Sequence, residues 1–358
     1  LPGDGIGPEV TNASQQVLDA IGQKWGHQFH YETDMVGGCA IDAFGTPLRD
    51  ETVERAKLND AVLFGAVGGP KWDNEAVRPE AAILGIRKAL GLFANIRPVR
   101  VFPGMEGASP LKDQLVAGAD MVILRELTGG LYYASPKKRW NTKTGRKGVD
   151  TLLYTEHEIE RIIRVGFELA RSRRKKLTSV DKANVLQSSR LWRDIAIEVA
   201  AEYPDVELEH QLVDSCAMLL ITRPTSFDVM VMENMFGDII SDEAAVLSAS
   251  LGMLPSASLA GLPGVDETGQ PRKVKGLYEP SHGSAPDIAG QGKANPIGSI
   301  LSTAFMLQYS FGLTKEADAV NSAVEGALNA GHRTADLVER DTEFSTTQHM
   351  TEMILDRL

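Results

Sequence analysis

Asp238 and Asp242 stand four residues apart in the run Asn234-Met235-Phe236-Gly237-Asp238-Ile239-Ile240-Ser241-Asp242-Glu243, directly behind the apolar stretch Phe227-Asp228-Val229-Met230-Val231-Met232. The apolar stretch reads as a buried strand and Gly237 as the turn into a helix. Residues i and i+4 of a helix share a face, so both carboxylates point the same way from the carboxyl end of that strand. An all-oxygen pair of this kind suits a hard divalent cation. It also has a simpler reading, in which each acid complements the helix dipole by about 0.3–1 kcal/mol.

Three arginines offer the opposite charge. Arg87 and Arg97 lie in Gly85-Ile86-Arg87-Lys88-Ala89-Leu90-Gly91-Leu92-Phe93-Ala94-Asn95-Ile96-Arg97-Pro98, and Arg125 follows Val122-Ile123-Leu124 and precedes Glu126-Leu127-Thr128-Gly129-Gly130-Leu131-Tyr132. Guanidinium forks bind carboxylates bidentately, so converging arginines could hold a dicarboxylic acid, although each alone reads as a surface or ion-pair residue. Lys182 follows the strand-like Thr178-Ser179-Val180. Nearby arginines and a dication would disfavour its charged form and fit it as a general base; a solvated strand-end lysine is the plainer alternative. Tyr132 reads as a proton donor or as a packed aromatic.

The segment Glu279-Pro280-Ser281-His282-Gly283-Ser284-Ala285-Pro286-Asp287-Ile288-Ala289-Gly290-Gln291-Gly292-Lys293-Ala294-Asn295-Pro296 is a long loop of small residues. Its glycines let backbone approach a flat or phosphorylated ligand, to which His282 and Asn295 offer hydrogen bonds. Asp287 would accept from ribose hydroxyls and repel a 2′-phosphate, which separates NAD from NADP. The opening Gly3-Asp4-Gly5-Ile6-Gly7-Pro8 fails as a Rossmann fingerprint, because its third glycine falls one position early and Pro8 follows it. It reads instead as a tight turn with Pro8 opening a helix, with a ligand-lining role left open. No P-loop, zinc-type Cys/His spacing or nucleophile elbow is present in the sequence.

These residues need a large scaffold. The 358-residue chain, 43% hydrophobic and 24% charged, suits two α/β domains. Ala61–Phe64, Asp120–Leu124, Leu177–Val180 and Phe227–Met232 read as strands, and Glu156–Ser172, Ser189–Tyr203 and Thr303–Phe311 as helices. A basic segment, Lys137–Gly148, reads as a solvated loop or a subunit-contact arm, and Val265–Lys275 as a surface turn. The formal net charge of -11 argues against nucleic acid or an anionic membrane as partner. No run of 18 apolar residues suggests a membrane span, and the two cysteines, Cys39 and Cys216, suit a cytoplasmic location. The start at Leu1-Pro2-Gly3 looks like a first strand shorn of its opening residues, and a transit segment could have preceded it.

In this order the arginines, tyrosine, lysine, paired aspartates and late glycine-rich loop make the chain resemble the β-decarboxylating dehydrogenases along essentially its whole length. The resemblance implies a two-domain isopropylmalate/isocitrate dehydrogenase-like α/β fold that is not a Rossmann fold. Residues 1–92 and 249–358 would form the first domain and 93–248 the second, with the active site in the cleft between them. It further implies NAD and Mg2+ or Mn2+ as cofactors, and a homodimer with shared active sites. Matched position by position, Arg87, Arg97 and Arg125 would grip the malate carboxylates, Tyr132 would help protonate the enol, and Lys182 would be the base supplied by the neighbouring subunit. Asp238 and Asp242 would be metal ligands from one subunit. Asp214, in Leu212-Val213-Asp214-Ser215-Cys216, would cross over to complete the set and touch the substrate. His282, Gly283, Ser284, Ala285, Pro286, Asp287, Ile288 and Asn295 would contact NAD, and Glu80 would sit near its nicotinamide end. Gln291 and Lys293 stand where relatives more often carry Lys and an aliphatic residue.

Within the family the substrate's side chain is the remaining choice. Ile83, Leu84 and Val185 would form an apolar wall that suits an isopropyl group, which points to 3-isopropylmalate and to leucine biosynthesis. Isocitrate and homoisocitrate would find no partner there for a third carboxylate, and tartrate or malate is the nearest rival. Core packing is the plain alternative for these apolar residues. A metal-dependent hydrolase and a non-catalytic binding protein are the other classes.

Overall fold

A computed structural model of the chain describes residues 1–73, 77–339 and 341–358. Its strands are β1 Ala61–Leu63, β2 Ala94–Arg100, β3 Asp120–Glu126, β4 Lys138–Thr142, β5 Gly145–Val149, β6 Lys176–Asp181, β7 Glu207–Leu212, β8 Val229–Met232, β9 Pro255–Leu259 and β10 Gly276–Pro280. Eight of them make one mixed sheet in the order β1-β10-β9-β2-β3-β8-β6-β7. Neighbours from β3 through β8 and β6 to β7 are parallel, whereas β9 runs against both β10 and β2, and β2 against β3. The sheet is therefore continuous from residues 61–63 and 276–280 into residues 94–232, with β9 joined to β2 through Ala94↔Leu259, Asn95↔Ser258 and Ile96↔Ala257.

The four strands expected from apolar runs are present as β1, β3, β6 and β8, within a residue or two of the expected ends. β2 and β9, which lie between them, carry Asn95, Arg97, Pro98, Pro255, Ser256 and Ser258 and have no apolar run to announce them. Pro98 is tolerated because β9 pairs only as far as Ile96, so the proline lies beyond that ladder.

Period-two alternation divides the middle of the sheet into two unlike faces. Ile96, Leu124, Ala257 and Tyr278 point into the larger apolar core, with Ile159, Ile162, Phe167, Ile300 and Val324 from the flanking helices. The helix Glu156–Arg171 enters this core from a capping box, in which Thr155 and Glu158 satisfy each other's backbone donors. The other face carries Asn95, Arg97, Arg125, Ser256, Ser258 and Glu279, joined by the pairs Asn95↔Arg125, Asn95↔Ser258 and Ser256↔Glu279.

The basic segment forms an antiparallel hairpin, β4 with β5, apart from the main sheet. The expected helix at Thr303–Phe311 begins earlier, as Ile297–Phe305, and passes into a wider π turn at Met306–Ser310. Residues 265–275 make the expected surface turn, closed by Gly269 donating to the Asp266 carbonyl. Among the described residues, no helix is long and apolar enough to cross a membrane.

Candidate active site

The polar face of the sheet is the floor of the site. Arg97 donates through Nε to Asn95 Oδ1 at 2.7 Å and through Nη1 to Ser241 Oγ at 2.7 Å. Burial, followed by the neighbouring charges of Arg125 and Arg87, pushes its guanidinium down to about 10, which leaves it protonated at neutral pH. Arg125 is buried, donates through Nε to Asn234 Oδ1 at 3.0 Å, and pairs through Nη1 with Asp238. Arg87, from the helix Ala81–Ala89, pairs with Glu279, while its buried Nε has no partner among the described residues. The three arginines thus converge on one face, as a dianionic ligand would require.

The helix Asn234–Ala245 closes over this floor. It begins at Glu233, whose carboxylate accepts from the backbone N–H of Met235 and Phe236. Gly237 is consequently not the turn into the helix, as its type suggested, but lies inside the first turns. A Cβ there would come within 2.6 Å of Arg125 Cγ, so the missing side chain is what lets Arg125 pass beneath. Asp238 and Asp242 share the face turned to the arginines: Asp238 takes Arg125 on one oxygen and the Tyr132 hydroxyl on the other at 2.9 Å, and Asp242 lies 3.6 Å from Arg97. Burial and the Asp238 carboxylate raise the Tyr132 hydroxyl, which keeps it a proton donor at neutral pH.

Lys182 and Asp214 form a separate pair. Lys182 Nζ donates to Asp214 Oδ1 at 2.6 Å, and this bond holds the exposed carboxyl below its usual range. Arg87, Arg97 and Arg125 pair instead with Glu279, Asp242 and Asp238. Among the described residues, no three carboxylates, histidines or cysteines of one chain gather around a metal-sized point. Each acid has an exposed apolar neighbour: Met218, one turn beyond Asp214, is 65% exposed, and Ile239, next to Asp238, is 59% exposed.

Of the expected apolar wall, Leu84 and Val185 are exposed, whereas Ile83 leans on the core beside Val62, Phe64 and Ile86. Leu84 lies one turn before Arg87 on the same helix face. Glu80 opens that helix, and its carboxylate borders Gly68, which also faces Ser284.

The loop after β10 is wedged against the opening turn of the chain. Ile6 N–H donates to the Ser284 carbonyl at 2.8 Å, and a Cβ on Gly5, at φ 57°, would sit 1.9 Å from that oxygen. Asp4 anchors the turn by accepting from the backbone N–H of Gly38, Cys39 and Gly68. The glycine motif that fails as a dinucleotide fingerprint is thus the base on which the later loop rests. Gly283, Pro286 and Asp287 are exposed on that loop, with Ala285 and Ile288 half-buried. Ser281 Oγ and His282 Nε2 are buried with no hydrogen-bond partner among the described residues. Asn295 faces inward: its Oδ1 accepts from Ile297 N–H and its Nδ2 donates to Asp336, so its amide is already engaged by the protein. A cavity of about 280 Å3, lined by Leu1, Leu18, Phe29, Asp34, Arg55 and Leu63 among others, contains none of these site residues.

Glu279, Ser241, Asn234 and Asn95 were not singled out from the sequence. Each is a common polar residue; Glu279, Ser241 and Asn234 meet arginines more than a hundred residues away, and Asn95, beside its partner Arg97, is oriented by the distant Ser258.

Three converging arginines, a helix-borne acid pair, a tyrosine donor and a non-Rossmann loop on this α/β fold fit a decarboxylating dehydrogenase. The chain belongs to the isocitrate/isopropylmalate dehydrogenase family, whose profile matches residues 1–354. It is 57% identical to a 3-isopropylmalate dehydrogenase of Geobacillus kaustophilus, over 99% of this chain and 93% of that protein. It is 53% identical to one of Halalkalibacterium halodurans, over 100% of this chain and 96% of that protein. A crystal structure of isocitrate dehydrogenase from Methylococcus capsulatus superposes with a TM-score of 0.84 at 34% identity, covering 99% of this chain and 97% of that one.

Proposed function

We propose that this chain is a cytoplasmic, homodimeric enzyme that oxidatively decarboxylates 3-isopropylmalate with NAD, giving 4-methyl-2-oxopentanoate and CO2 in leucine biosynthesis. The observation that carries this reading is the convergence of Arg87, Arg97 and Arg125 on one sheet face, opposite Asp238, Asp242 and Tyr132. The exposed Leu84 one turn from Arg87 favours an isopropyl group over a third carboxylate. The proposed domains are 1–92 with 249–358, and 93–248, with the substrate between them.

Asp238 and Asp242 offer hard oxygen donors for Mg2+ or Mn2+, and a carboxylate has lone pairs to spare beyond the bonds to Arg125 and Tyr132. Asp214 from a second copy would complete the set, and the exposed Met218 and Ile239 beside these acids would be covered by that copy. His282 Nε2 and Ser281 Oγ fit the polar edge of NAD, with Asp287 selecting against a 2′-phosphate. When bound, the dication supplies Lewis acidity at the substrate hydroxyl and NAD the hydride acceptor.

The chain's own residues do the rest. The arginines bind and orient the two carboxylates, paying the desolvation of the substrate's charge with fixed donors. Lys182 of the second copy takes the hydroxyl proton, and Tyr132 returns a proton to the carbon left by CO2. A panel of 3-isopropylmalate, isocitrate, homoisocitrate, tartrate and malate against NAD and NADP, followed by NAD(P)H absorbance, tests the reading. The expected result is the highest kcat/KM with 3-isopropylmalate and NAD; a preference for isocitrate or for NADP would overturn it.

A further inference from the structure

We infer that Tyr154 is a positioning residue for the reaction: its hydroxyl braces the turn that carries Tyr132 against the start of the helix that carries Asp238. This rests on the reaction proposed above. Tyr154 is buried, and its hydroxyl accepts the Asn234 N–H at 2.9 Å and lies 3.4 Å from Glu233 Oε2. Asn234 and Glu233 are the first residue and the cap of the helix Asn234–Ala245. On its other side the ring lies flat under Gly129 and Gly130. A Cβ on Gly129 would be 2.5 Å from Tyr154 Cε1, and one on Gly130, at φ 73°, 2.6 Å from the hydroxyl oxygen.

The two elements are tied at the same place. Asn234 Nδ2 donates to the Gly129 carbonyl at 3.3 Å while Asn234 Oδ1 accepts from Arg125, and the buried Glu126 accepts from the N–H of Thr128 and Gly129. Three residues beyond Gly129, the Tyr132 hydroxyl meets Asp238. The separation of proton donor and acid ligand is therefore set by a stack of glycine turn, aromatic ring and helix cap. Glycines at 129 and 130 follow from the same stack, since any side chain there would lift the turn off the ring.

The stack is not a generic core contact, because the hydroxyl and not only the ring is engaged. Tyr154→Phe keeps the ring on Trp192, whose centroid is 5.7 Å away, and removes only the brace. The expected result is a folded dimeric enzyme whose kcat falls at least tenfold, while KM for NAD changes less than twofold. In a cycle with Tyr132→Phe the losses are expected to be non-additive, the double variant being no more than about threefold below Tyr132→Phe alone. A kcat within twofold of wild type, or fully additive losses, would overturn the inference. If Tyr154→Phe does not fold, Glu233→Gln tests the same brace from its acceptor side, and unchanged kcat there overturns it equally. Assays use whichever hydroxy acid of the panel wild type oxidises, so a different preferred substrate refutes the proposed reaction and leaves this comparison intact.

Discussion

Asp238 carries two loads, since one oxygen neutralises a buried guanidinium and the other fixes a proton donor. Asp238→Asn keeps the size but replaces an acceptor by a donor, which then faces Arg125 or the Tyr132 hydroxyl. Charge-assisted hydrogen bonds contribute about 1.5–3 kcal/mol, so kcat/KM for substrate is expected to drop by about one to two orders of magnitude. Steady-state kinetics at varied Mn2+ check this, and an unchanged metal requirement would remove Asp238 from the metal set. Lys182→Ala removes the proposed base and is expected to lower kcat by about 10²–10⁴-fold. Near-normal turnover by that variant would end the mechanism.

His282 makes a pH prediction at the same scale. Burial lowers its imidazole below the ordinary value, so the fold favours the neutral ring. Its contribution to stability is fully present above about pH 6.5 and is lost as the pH falls through the lowered folded value. His282→Gln should therefore lose less thermal stability than wild type between neutral and mildly acidic pH. Parallel melting curves for the two proteins would contradict this.

At the scale of elements, close approach matters more than propensity. Gly237→Ala would improve helix propensity by about 1 kcal/mol in isolation. Here the new methyl would fall 2.6 Å from Arg125 Cγ, so it should push the guanidinium off Asp238 and raise KM for substrate several-fold, with less effect on NAD. Isothermal titration of each ligand separates the two. The same reasoning explains what the sequence made legible. Long apolar runs revealed β1, β3, β6 and β8, and the order of charged motifs revealed the family. Strands β2 and β9 stayed hidden because their polar residues form the site floor, where function displaced the usual strand pattern. Gly237 sits inside the helix and not at its entry, a difference hidden locally because a glycine's signal is the same whether it makes a turn or admits a neighbour. The inward partners of Asn295, Met253 and Asp336, leave no local sign beside it, because they lie about forty residues away on either side.

For the whole molecule, the division of the site between two pairs gives a test of the shared-site dimer. Lys182→Ala and Asp238→Asn chains should each be strongly impaired alone, with no more than a few per cent of wild-type activity at subsaturating substrate. In a proposed C2 dimer, a hybrid of the two keeps one site with both native residues, so a refolded equal mixture should recover about a quarter of wild-type activity. No recovery, despite hybrids being present by native mass spectrometry, would place both residues in one chain's site. The hairpin of β4 and β5, bearing Lys138, Arg139, Arg146 and Lys147, stands apart from the main sheet. Its removal should shift sedimentation toward monomer if it belongs to the subunit contact.

The seam between β9 and β2 has a mechanical consequence. Three residue pairs span it, whereas seven join β2 to β3 and five join β10 to β9. A sheet bends most readily where its ladder is narrow, and this is the narrowest ladder between β10 and β3, so under the domain division proposed above the seam would be the axle for opening and closing the cleft. Arg97 projects from β2 just past the seam's last pair, Ile96↔Ala257. Twisting there would swing Arg97 and Arg125 together against Arg87 and the loop after β10, so that gripping the substrate and gathering in the cofactor become one stroke. Amide exchange at Asn95 and Ser258 should slow when both ligands are bound, and exchange that ignores them would show the axle to be elsewhere.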